Sequence, residues 1–335
     1  HEVEMVVYAG VDLHKSYCQA IVCTEKGEVI KEGRIRTEKE DIEEFFASLE
    51  NLEVAIEATT NYEYFYDLLE GLGHRVVVAH PLKTRMIAEA KITTDKISAK
   101  TLVELLRGDL LPTSYVPPKE IRELRHLVRH RIALGRLRSR LKTQVKTELR
   151  RKNLKYREGS KIFTGRGMKE LRMLKNPVID SYLAIYEAVE RELKKAEQEI
   201  EQVAERYEEV KLLTGIKGIG RYSALIIYSE LGDCSRFPTE EKVFAYAGLI
   251  PRVHRSGNES YYGRITREGS KYLRWILVEV ARVHVQWCPE SRITKHYEKL
   301  KRKRGEKIAI TAAARKLLQV SYHMLKNKEA FRIEG

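Results

Sequence analysis

The chain has 335 residues, a length that predicts more than one domain. Its 62 Lys and Arg residues outnumber 48 Asp and Glu, and the formal charge of +14 favours a polyanionic partner without identifying it. Apolar residues make up 43% of the chain. They form no run of the roughly 18 residues that a membrane span needs, and no signal-peptide pattern is present, so we expect a soluble, cytoplasmic protein without a membrane partner. The four cysteines have the spacing of neither a zinc site nor a disulfide scaffold.

Apolar and alternating runs near the N-terminus predict three strands joined by hairpins, at residues 5–11, 18–24 and 29–37. Helices and strands alternate after them, at residues 40–49, 54–58, 62–72 and 75–79. Three hairpin-linked strands followed by alternating elements predict a mixed sheet, and ribonuclease-H-like folds have this order.

The composition changes after Pro117, where residues 119–152 predict a long, strongly basic amphipathic helix. Three of its arginines are candidates for nucleic-acid contact: Arg129, Arg136 and Arg140. Residues 179–210 place apolar side chains at alternating steps of three and four, which is typical of a coiled-coil seam. An intramolecular hairpin or a dimer would satisfy this seam, with residues 155–177 as a loop or broken connector.

Glycines cluster after residue 211, before two apolar helical stretches at residues 272–285 and 308–325. This pattern predicts a compact, mainly helical module, in which Trp275 and Trp287 are interpreted as core residues. The expected fold class is α/β plus α, with a ribonuclease-H-like mixed-sheet domain, a helical coiled-coil insertion and a helical C-terminal domain. The predicted domains are residues 1–115, 116–210 and 211–335.

Three carboxylates are candidates for a metal site. Asp12 follows the first apolar strand, Glu57 lies near the end of the strand at residues 54–58, and Asp95 begins a helical stretch. Neighbouring strand ends can bring such side chains together, and hard oxygen ligands suit Mg²⁺ or Mn²⁺, which promote phosphodiester chemistry. One acidic residue at a strand end is usually only solvated, but a set of three favours a catalytic centre.

Three short blocks around these carboxylates, at residues 10–15, 57–62 and 94–97, resemble signature blocks of the insertion-sequence one-ten family, also called DEDD transposases. The resemblance extends over nearly the whole chain, including the coiled-coil insertion and the C-terminal domain. It implies a RuvC-like domain in which Asp12, Glu57 and Asp95 bind divalent metal and take part in catalysis.

The chain departs from the family pattern at one position. The last block of the family reads Asp-x-x-Asp, whereas Ser98 occupies the second acidic position here. A serine hydroxyl can coordinate a metal or position a water, but it adds no negative charge, so weaker metal binding is expected. Glu104 is a poor substitute, because helical geometry places it on the face opposite Asp95. A working three-carboxylate site, an inactive natural copy and a deliberate substitution all remain open.

A glycine-rich segment at residues 213–220, followed by an apolar helical stretch, matches a helix-hairpin-helix. Its glycines allow backbone N–H groups to approach a phosphate, which is a sequence-independent contact, although an ordinary glycine-rich turn is the simpler interpretation. The residues expected to contact nucleic acid here are Lys217, Gly218, Gly220 and Arg221.

Further blocks at residues 246–252, 254–257 and 263–269 also resemble the family. The resemblance implies that Ser256 attacks the DNA backbone and forms a covalent phosphoserine link. A serine needs activation and the transferring phosphate needs cationic support. We expect the metal site, rather than His254, to activate Ser256, which requires the two domains to meet within one subunit or across a dimer. The supporting cations are Arg252, Arg255, Arg264 and Arg267.

The favoured function is a transposase that cuts and rejoins donor and target DNA, acting as a homodimer or homotetramer. The resemblance further implies a structured guide RNA encoded by the element. Two alternatives remain: a metal-dependent nuclease of the Holliday-junction type without a protein nucleophile, and a nucleic-acid-binding protein that Ser98 has left inactive.

Overall fold

The computed structural model describes residues 6–88, 94–156, 159–256, 259–266 and 268–331. The chain divides into two compact units, His1–Val116 and Pro117–Gly335. Each unit has its own hydrophobic core.

The first unit is built on a six-stranded mixed sheet with the strand order β3-β2-β1-β4-β5-β6. β1, β2 and β3 are antiparallel neighbours, β1, β4 and β5 are parallel, and β6 is antiparallel to β5. The predicted mixed sheet is confirmed and is consistent with a ribonuclease-H-like fold. The strands are β1 (Val7–Leu13), β2 (Tyr17–Thr24), β3 (Val29–Arg36), β4 (Leu52–Glu57), β5 (Arg75–Ala79) and β6 (Thr113–Ser114).

Helices cover both faces of this sheet. Phe46 of α1 and Phe65 of α2 pack with Val54 and Ile56 on one face. On the other face α4 packs against small side chains of the sheet, as Leu102 does against Ala55. The helices of the first unit are α1 (Lys39–Phe46), α2 (Tyr62–Gly71), α3 (Pro81–Ala88) and α4 (Asp95–Arg107).

Gly10, in the middle of β1, lies directly against the backbone of α4. A Cβ atom at position 10 would lie 2.1 Å from the carbonyl oxygen of Ala99 and 2.6 Å from the backbone nitrogen of Val103. Neither backbone atom can move without displacing the helix. The absence of a side chain at Gly10 therefore sets the height of α4 above the sheet.

We expect Gly10→Ala to lower the free energy of opening of α4 by roughly 1–3 kcal/mol, because overpacking a close contact forces the backbone to shift. Hydrogen exchange of amides in Asp95–Arg107 measures this free energy within the first unit. Gly71→Ala is the matched control, since its added methyl group meets nothing within 4 Å. Equal protection of α4 in the two variants would contradict the close-packing argument.

The second unit begins with two long antiparallel helices, α5 (Lys119–Arg151) and α7 (Pro177–Ala204). Arg131 pairs with Glu197, and further along the helices Arg138 pairs with Glu190. Of the two arrangements that the seam allows, the structure has the intramolecular hairpin. The predicted connector contains a short 3-10 helix, Ser160–Phe163, and α6 (Gly165–Met173).

The predicted seam at residues 179–210 is divided between two helices. α7 ends at Ala204, and a separate helix α8 (Glu208–Thr214) carries the last seam residue, Val210. Tyr207 lies between them, with its hydroxyl donating to Glu120 of α5 at 2.6 Å and its ring next to that of Tyr228. The apolar spacing continues through the break because both sides pack on the same core.

The rest of the second unit is mainly helical, with one antiparallel hairpin of β7 and β8 that the sequence pattern did not predict. The interpretation of both tryptophans as core residues is wrong: Trp275 is 38% exposed and Trp287 60%. The buried face of α11 carries residues such as Leu273 and Leu277 instead. The elements are α9 (Arg221–Leu231), α10 (Glu240–Ala247), β7 (Pro251–Ser256), β8 (Glu259–Ile265), α11 (Lys271–Trp287), α12 (Arg292–Arg304) and α13 (Glu306–Asn327).

The four cysteines are free and buried. Burial raises the pKa of Cys18 and of Cys234 to about 12, and it raises the pKa of Cys23 and of Cys288 as well. Within the described part of the chain, no helix is both long enough and apolar enough to cross a membrane.

Candidate metal centre

Asp12 and Glu57 lie at the carboxyl ends of neighbouring parallel strands. β1 pairs with β4 in a register that sets Val11 beside Ile56, so the next residue of each strand is one of the two carboxylates. Asp12 is nearly buried, with 8% of the residue exposed. The strand pairing thus supplies two carboxylates at one edge of the sheet.

Asp95 is the first residue of α4. Thr94 caps this helix, because its side-chain oxygen accepts a hydrogen bond from the Ile97 N–H at 3.3 Å. The packing of α4 at Gly10 carries the start of the helix to the end of β1. Oxygen atoms of Asp12 and Asp95 and a ring nitrogen of His14 all lie within 4.8 Å of one another.

His14 lies between the two carboxylates. Its Nε2 is 3.2 Å from an oxygen of Asp95 and 3.5 Å from an oxygen of Asp12. The Asn61 side-chain amide donates to the His14 carbonyl oxygen at 3.0 Å, and the imidazole stacks on the Tyr17 ring with the ring centroids 4.6 Å apart. The hydrogen bond fixes the backbone of His14, and the stacking fixes the plane of its ring.

Tyr17 fixes the orientation of Asp95. Its hydroxyl donates to an oxygen of Asp95 at 2.9 Å, and the guanidinium of Arg34 lies 3.6 Å from the centre of its ring. The hydrogen bond from Tyr17 lowers the pKa of Asp95, and the nearby His14 and Arg34 lower it further. Asp95 is therefore held as a carboxylate.

Asp12 has the opposite shift. Burial raises the pKa of Asp12, and the negative charges of Asp95 and Glu57 add to the rise, while His14 opposes it. Glu57 is thus close enough to act on Asp12 electrostatically. The crowding of acidic groups around a buried carboxyl is the environment that a bound cation relieves.

We predict that Tyr17→Phe raises the pKa of Asp95 in the metal-free protein, because the variant lacks the hydroxyl that stabilises the carboxylate. Titration of the side-chain carboxyl carbons by NMR measures this pKa. Tyr64→Phe is the control, since Tyr64 is an exposed tyrosine on α2 of the same unit. An unchanged or lower pKa of Asp95 would show that Tyr17 does not support its charge.

Ser98 lies one helical turn after Asp95 and is half-buried. Its backbone N–H donates to the Thr94 carbonyl oxygen at 2.8 Å, as expected in the first turn of a helix. Glu104 is not at the centre, because it pairs with Arg107 at the other end of α4. The helix therefore presents one carboxylate to the centre, at Asp95.

The residues present fit a divalent cation. Oxygen donors from Asp12 and Asp95 meet at the end of β1, and both belong to the ligand type that Mg²⁺ and Mn²⁺ take. Nε2 of His14 is buried between these two carboxylates, 3.2 Å from an oxygen of Asp95 and 3.5 Å from an oxygen of Asp12. A buried ring nitrogen that faces two carboxylates is suited to coordinate the same metal as they do.

Sequence reasoning missed His14 and Tyr17 as members of the centre. His14 is two residues beyond Asp12, and residues two apart along a strand project from the same face. The register of β1 with β2 sets Leu13 beside Cys18, so His14 and Tyr17 follow as neighbours across the turn. The alternation of side chains along a strand could have identified His14 from the sequence, whereas identifying Tyr17 requires the pairing of β1 with β2.

In the second unit, the hairpin between α8 and α9 contains Lys217, Gly218 and Gly220. Gly218 has φ +101°, and a Cβ atom there would lie 3.1 Å from the backbone nitrogen of His284. The buried ring of His284 donates from Nδ1 to the Lys217 carbonyl oxygen at 2.7 Å. Gly218 is therefore needed for the turn and for its packing on α11, and Lys217 is exposed.

Several arginines predicted to contact nucleic acid already have partners in the fold. Arg221 donates hydrogen bonds at 2.9 Å to Glu201 of α7 and to Glu205, the residue after α7. Arg129 donates two hydrogen bonds to the buried carboxylate of Glu230. Arg136 lies 5.6 Å from the centre of the Tyr272 ring, and Arg140 is exposed.

Ser256 is the last residue of β7, where it pairs with Glu259 of β8. This register places it at the end of β7, opposite the first residue of β8. The backbones of Arg252 and Arg255 lie on β7, and that of Arg264 lies on β8. Arg267 lies outside the described residues.

Two family models match this chain. The Transposase IS116/IS110/IS902 family matches residues 210–298. The model of DEDD transposases of the IS110 type matches residues 9–153, a range that includes Asp12, Glu57 and Asp95. A DEDD family implies the use of a divalent metal, and this is consistent with the Asp12, His14 and Asp95 cluster.

Relatives align with nearly the whole chain. A probable family 20 transposase of Pseudomonas aeruginosa is 26% identical over 96% of this chain and 94% of its own length. The transposase for insertion sequence element IS1111A of Coxiella burnetii is 24% identical over 96% of this chain and 90% of its own. A pilin gene-inverting protein of Moraxella bovis is 33% identical over 36% of this chain and 38% of its own. These matches show that the chain belongs to the IS110 family of transposases, enzymes that cut and rejoin DNA.

Proposed function

We propose that this transposase moves an insertion sequence by strand transfer between donor and target DNA. Mg²⁺ or Mn²⁺ is held by Asp12, Glu57 and Asp95, with Ser98 at the position of a fourth ligand. The observation that carries the proposal is the meeting of Asp12, Asp95 and His14 at the carboxyl end of β1. The raised pKa of Asp12 and the lowered pKa of Asp95 support it, because a cation stabilises both carboxylates in their charged form.

The bound ion would supply charge neutralisation at the scissile phosphate and lower the pKa of a coordinated hydroxyl. The Ser256 oxygen forms a bond to phosphorus as the bond to the leaving DNA oxygen breaks, and the serine proton passes to that oxygen through solvent. A DNA hydroxyl then displaces Ser256 and restores the serine. The number of phosphodiester bonds is conserved, so no external energy source is needed.

The position of Ser256 supports this role. Ser256 lies on the same strand as Arg252 and Arg255. These arginines would stabilise charge on the transferring phosphate. Arg264, on the paired strand, and Arg267 would add to this stabilisation. These residues form the proposed strand-transfer site.

The hairpin of Lys217, Gly218 and Gly220 is proposed to bind DNA backbone as a helix-hairpin-helix. Open space lies where a Cβ of Gly220 would be, which leaves the start of α9 accessible to a phosphate. Arg221 and Arg129 would act in this binding only by exchanging an internal carboxylate for a phosphate. Among the described residues, Arg136 and Arg140 of α5 have no acidic partner to give up. They are therefore the stronger candidates for contact with nucleic acid.

A structured guide RNA encoded by the element is proposed as a further partner, with the basic helix α5 holding it through phosphates. The active form is proposed to be a homodimer or homotetramer, since strand transfer joins paired DNA ends. The division into domains at residues 1–115, 116–210 and 211–335 is retained as a proposal. It does not coincide with a separate compact unit for the coiled coil.

We expect the protein, incubated with donor and target DNA, Mn²⁺ and its co-purified RNA, to form a covalent protein–DNA adduct that survives a denaturing gel. Ser256→Ala should abolish this adduct, because alanine has no nucleophile. Ser260→Ala, on the opposite strand of the same hairpin, and Tyr262→Phe should retain it.

An adduct that persists in Ser256→Ala would refute the serine assignment. Cleavage of DNA without any adduct would instead identify a metal-dependent nuclease that uses water. Binding of DNA with neither cleavage nor metal binding would identify an inactive nucleic-acid-binding protein.

We predict that Ser98→Asp strengthens Mn²⁺ binding on the order of tenfold or more, since single partners of metal centres are typically worth 10–100-fold in affinity. Isothermal titration calorimetry measures the Kd. Thr101→Asp is the matched control, because it adds the same charge to α4 one turn further from Asp95. Equal effects of the two substitutions would mean that Ser98 does not occupy a ligand position.

A further inference from the structure

The position of Nε2 of His14 has a consequence for the choice of metal. It lies 3.2 Å from Asp95 and 3.5 Å from Asp12, and it is buried although 37% of the His14 side chain is exposed. The ring nitrogen is therefore directed inward, between the carboxylates, while another part of the ring faces solvent. In this orientation it can contribute a donor to an ion that both carboxylates bind.

We infer that His14 is itself a ligand of the divalent ion, and that it makes the centre prefer a first-row transition ion such as Mn²⁺ over Mg²⁺. This inference rests on the proposed metal centre and goes beyond it. The carboxylate set alone does not require such a preference, since both ions accept oxygen ligands.

The donor count favours this role for His14. Asp95 is the one carboxylate that α4 presents, because Ser98 stands one turn later and offers only a neutral hydroxyl. A nitrogen from His14 would replace the metal donor that is lost at Ser98. It would not replace the negative charge of the absent carboxylate. Imidazole is a common ligand of transition metals, whereas Mg²⁺ is held mainly by oxygen atoms and water.

The surroundings of His14 are those of an oriented ligand. The stacking on Tyr17 fixes the plane of the imidazole, and the hydrogen bond from Asn61 fixes its backbone. Thr59 in turn donates to the side-chain oxygen of Asn61 at 2.9 Å, which sets the orientation of that amide. Contacts that hold a ring in position reduce the entropy lost when it coordinates a metal.

The test uses the full chain and Mn²⁺ as the probe. Pulsed electron paramagnetic resonance of bound Mn²⁺ should show modulation from a coordinated ¹⁴N nucleus, and incorporation of ¹⁵N-histidine should replace it with the ¹⁵N pattern. His14→Ala should remove this signal and weaken Mn²⁺ binding about tenfold or more, with a change of less than about threefold for Mg²⁺. His130→Ala, at an exposed histidine of α5, should leave the signal and both affinities unchanged.

A second arm links His14 to Ser98. If the nitrogen compensates for the absent carboxylate, His14→Ala should cost less Mn²⁺ affinity in the Ser98→Asp background than in the chain with Ser98, because the two donors are then partly redundant. Equal losses in the two backgrounds would contradict this compensation.

The remaining outcomes separate this inference from the proposed function. Mn²⁺ binding that Asp12→Asn abolishes, but that shows no nitrogen modulation, would overturn the role of His14 and leave the carboxylate centre intact. Tighter Mn²⁺ binding in His14→Ala would likewise overturn it, since His14 would then compete with the ion as a cation. Absence of any Mn²⁺ binding that depends on Asp12 would overturn both.

Discussion

The contact between α4 and β1 at Gly10 is the constraint on which the candidate centre depends. The sheet places Asp12 and Glu57 at neighbouring strand ends, but Asp95 comes from a helix more than eighty residues later in the chain than Asp12. It reaches the centre because the helix backbone lies directly on β1, at a distance that a methyl group would prevent. Small residues below the rest of the helix, Ala55 and Ala79, allow the same close packing further along the sheet.

Opposite electrostatic environments meet at this point. Burial and acidic neighbours disfavour the charged form of Asp12 and raise its pKa. Tyr17, His14 and Arg34 favour the charged form of Asp95 and lower its pKa. In the second unit, by contrast, part of the large positive charge is internally neutralised, as in the pairing of Arg129 with Glu230, whose other oxygen accepts from Ser270 at 2.8 Å. The count of 62 Lys and Arg residues thus overstates the number of cations available to a polyanion.

The sequence was a good guide wherever a local pattern coincided with a buried strand or helix. The runs at residues 5–11 and 75–79 predicted β1 and β5, but β6 has two residues and exists through its pairing with β5, which no local pattern encodes. The apolar spacing at residues 179–210 marks which side chains are buried, but it does not reveal that the segment is broken into two helices. The spacing continues across the break because α7 and α8 pack on one core. In the candidate centre, the carboxylates were visible as strand and helix ends, whereas Tyr17 required the register of β1 with β2.

Burial shields the four cysteines of the chain from thiol reagents. Such reagents attack the thiolate, and the raised pKa of Cys18 and of Cys234, about 12 for each, disfavours the thiolate at neutral pH. The other two thiols are also buried and shifted in the same direction. A single cysteine introduced on the surface, for example at Lys303 of α12, can therefore carry a fluorophore without removal of the native thiols.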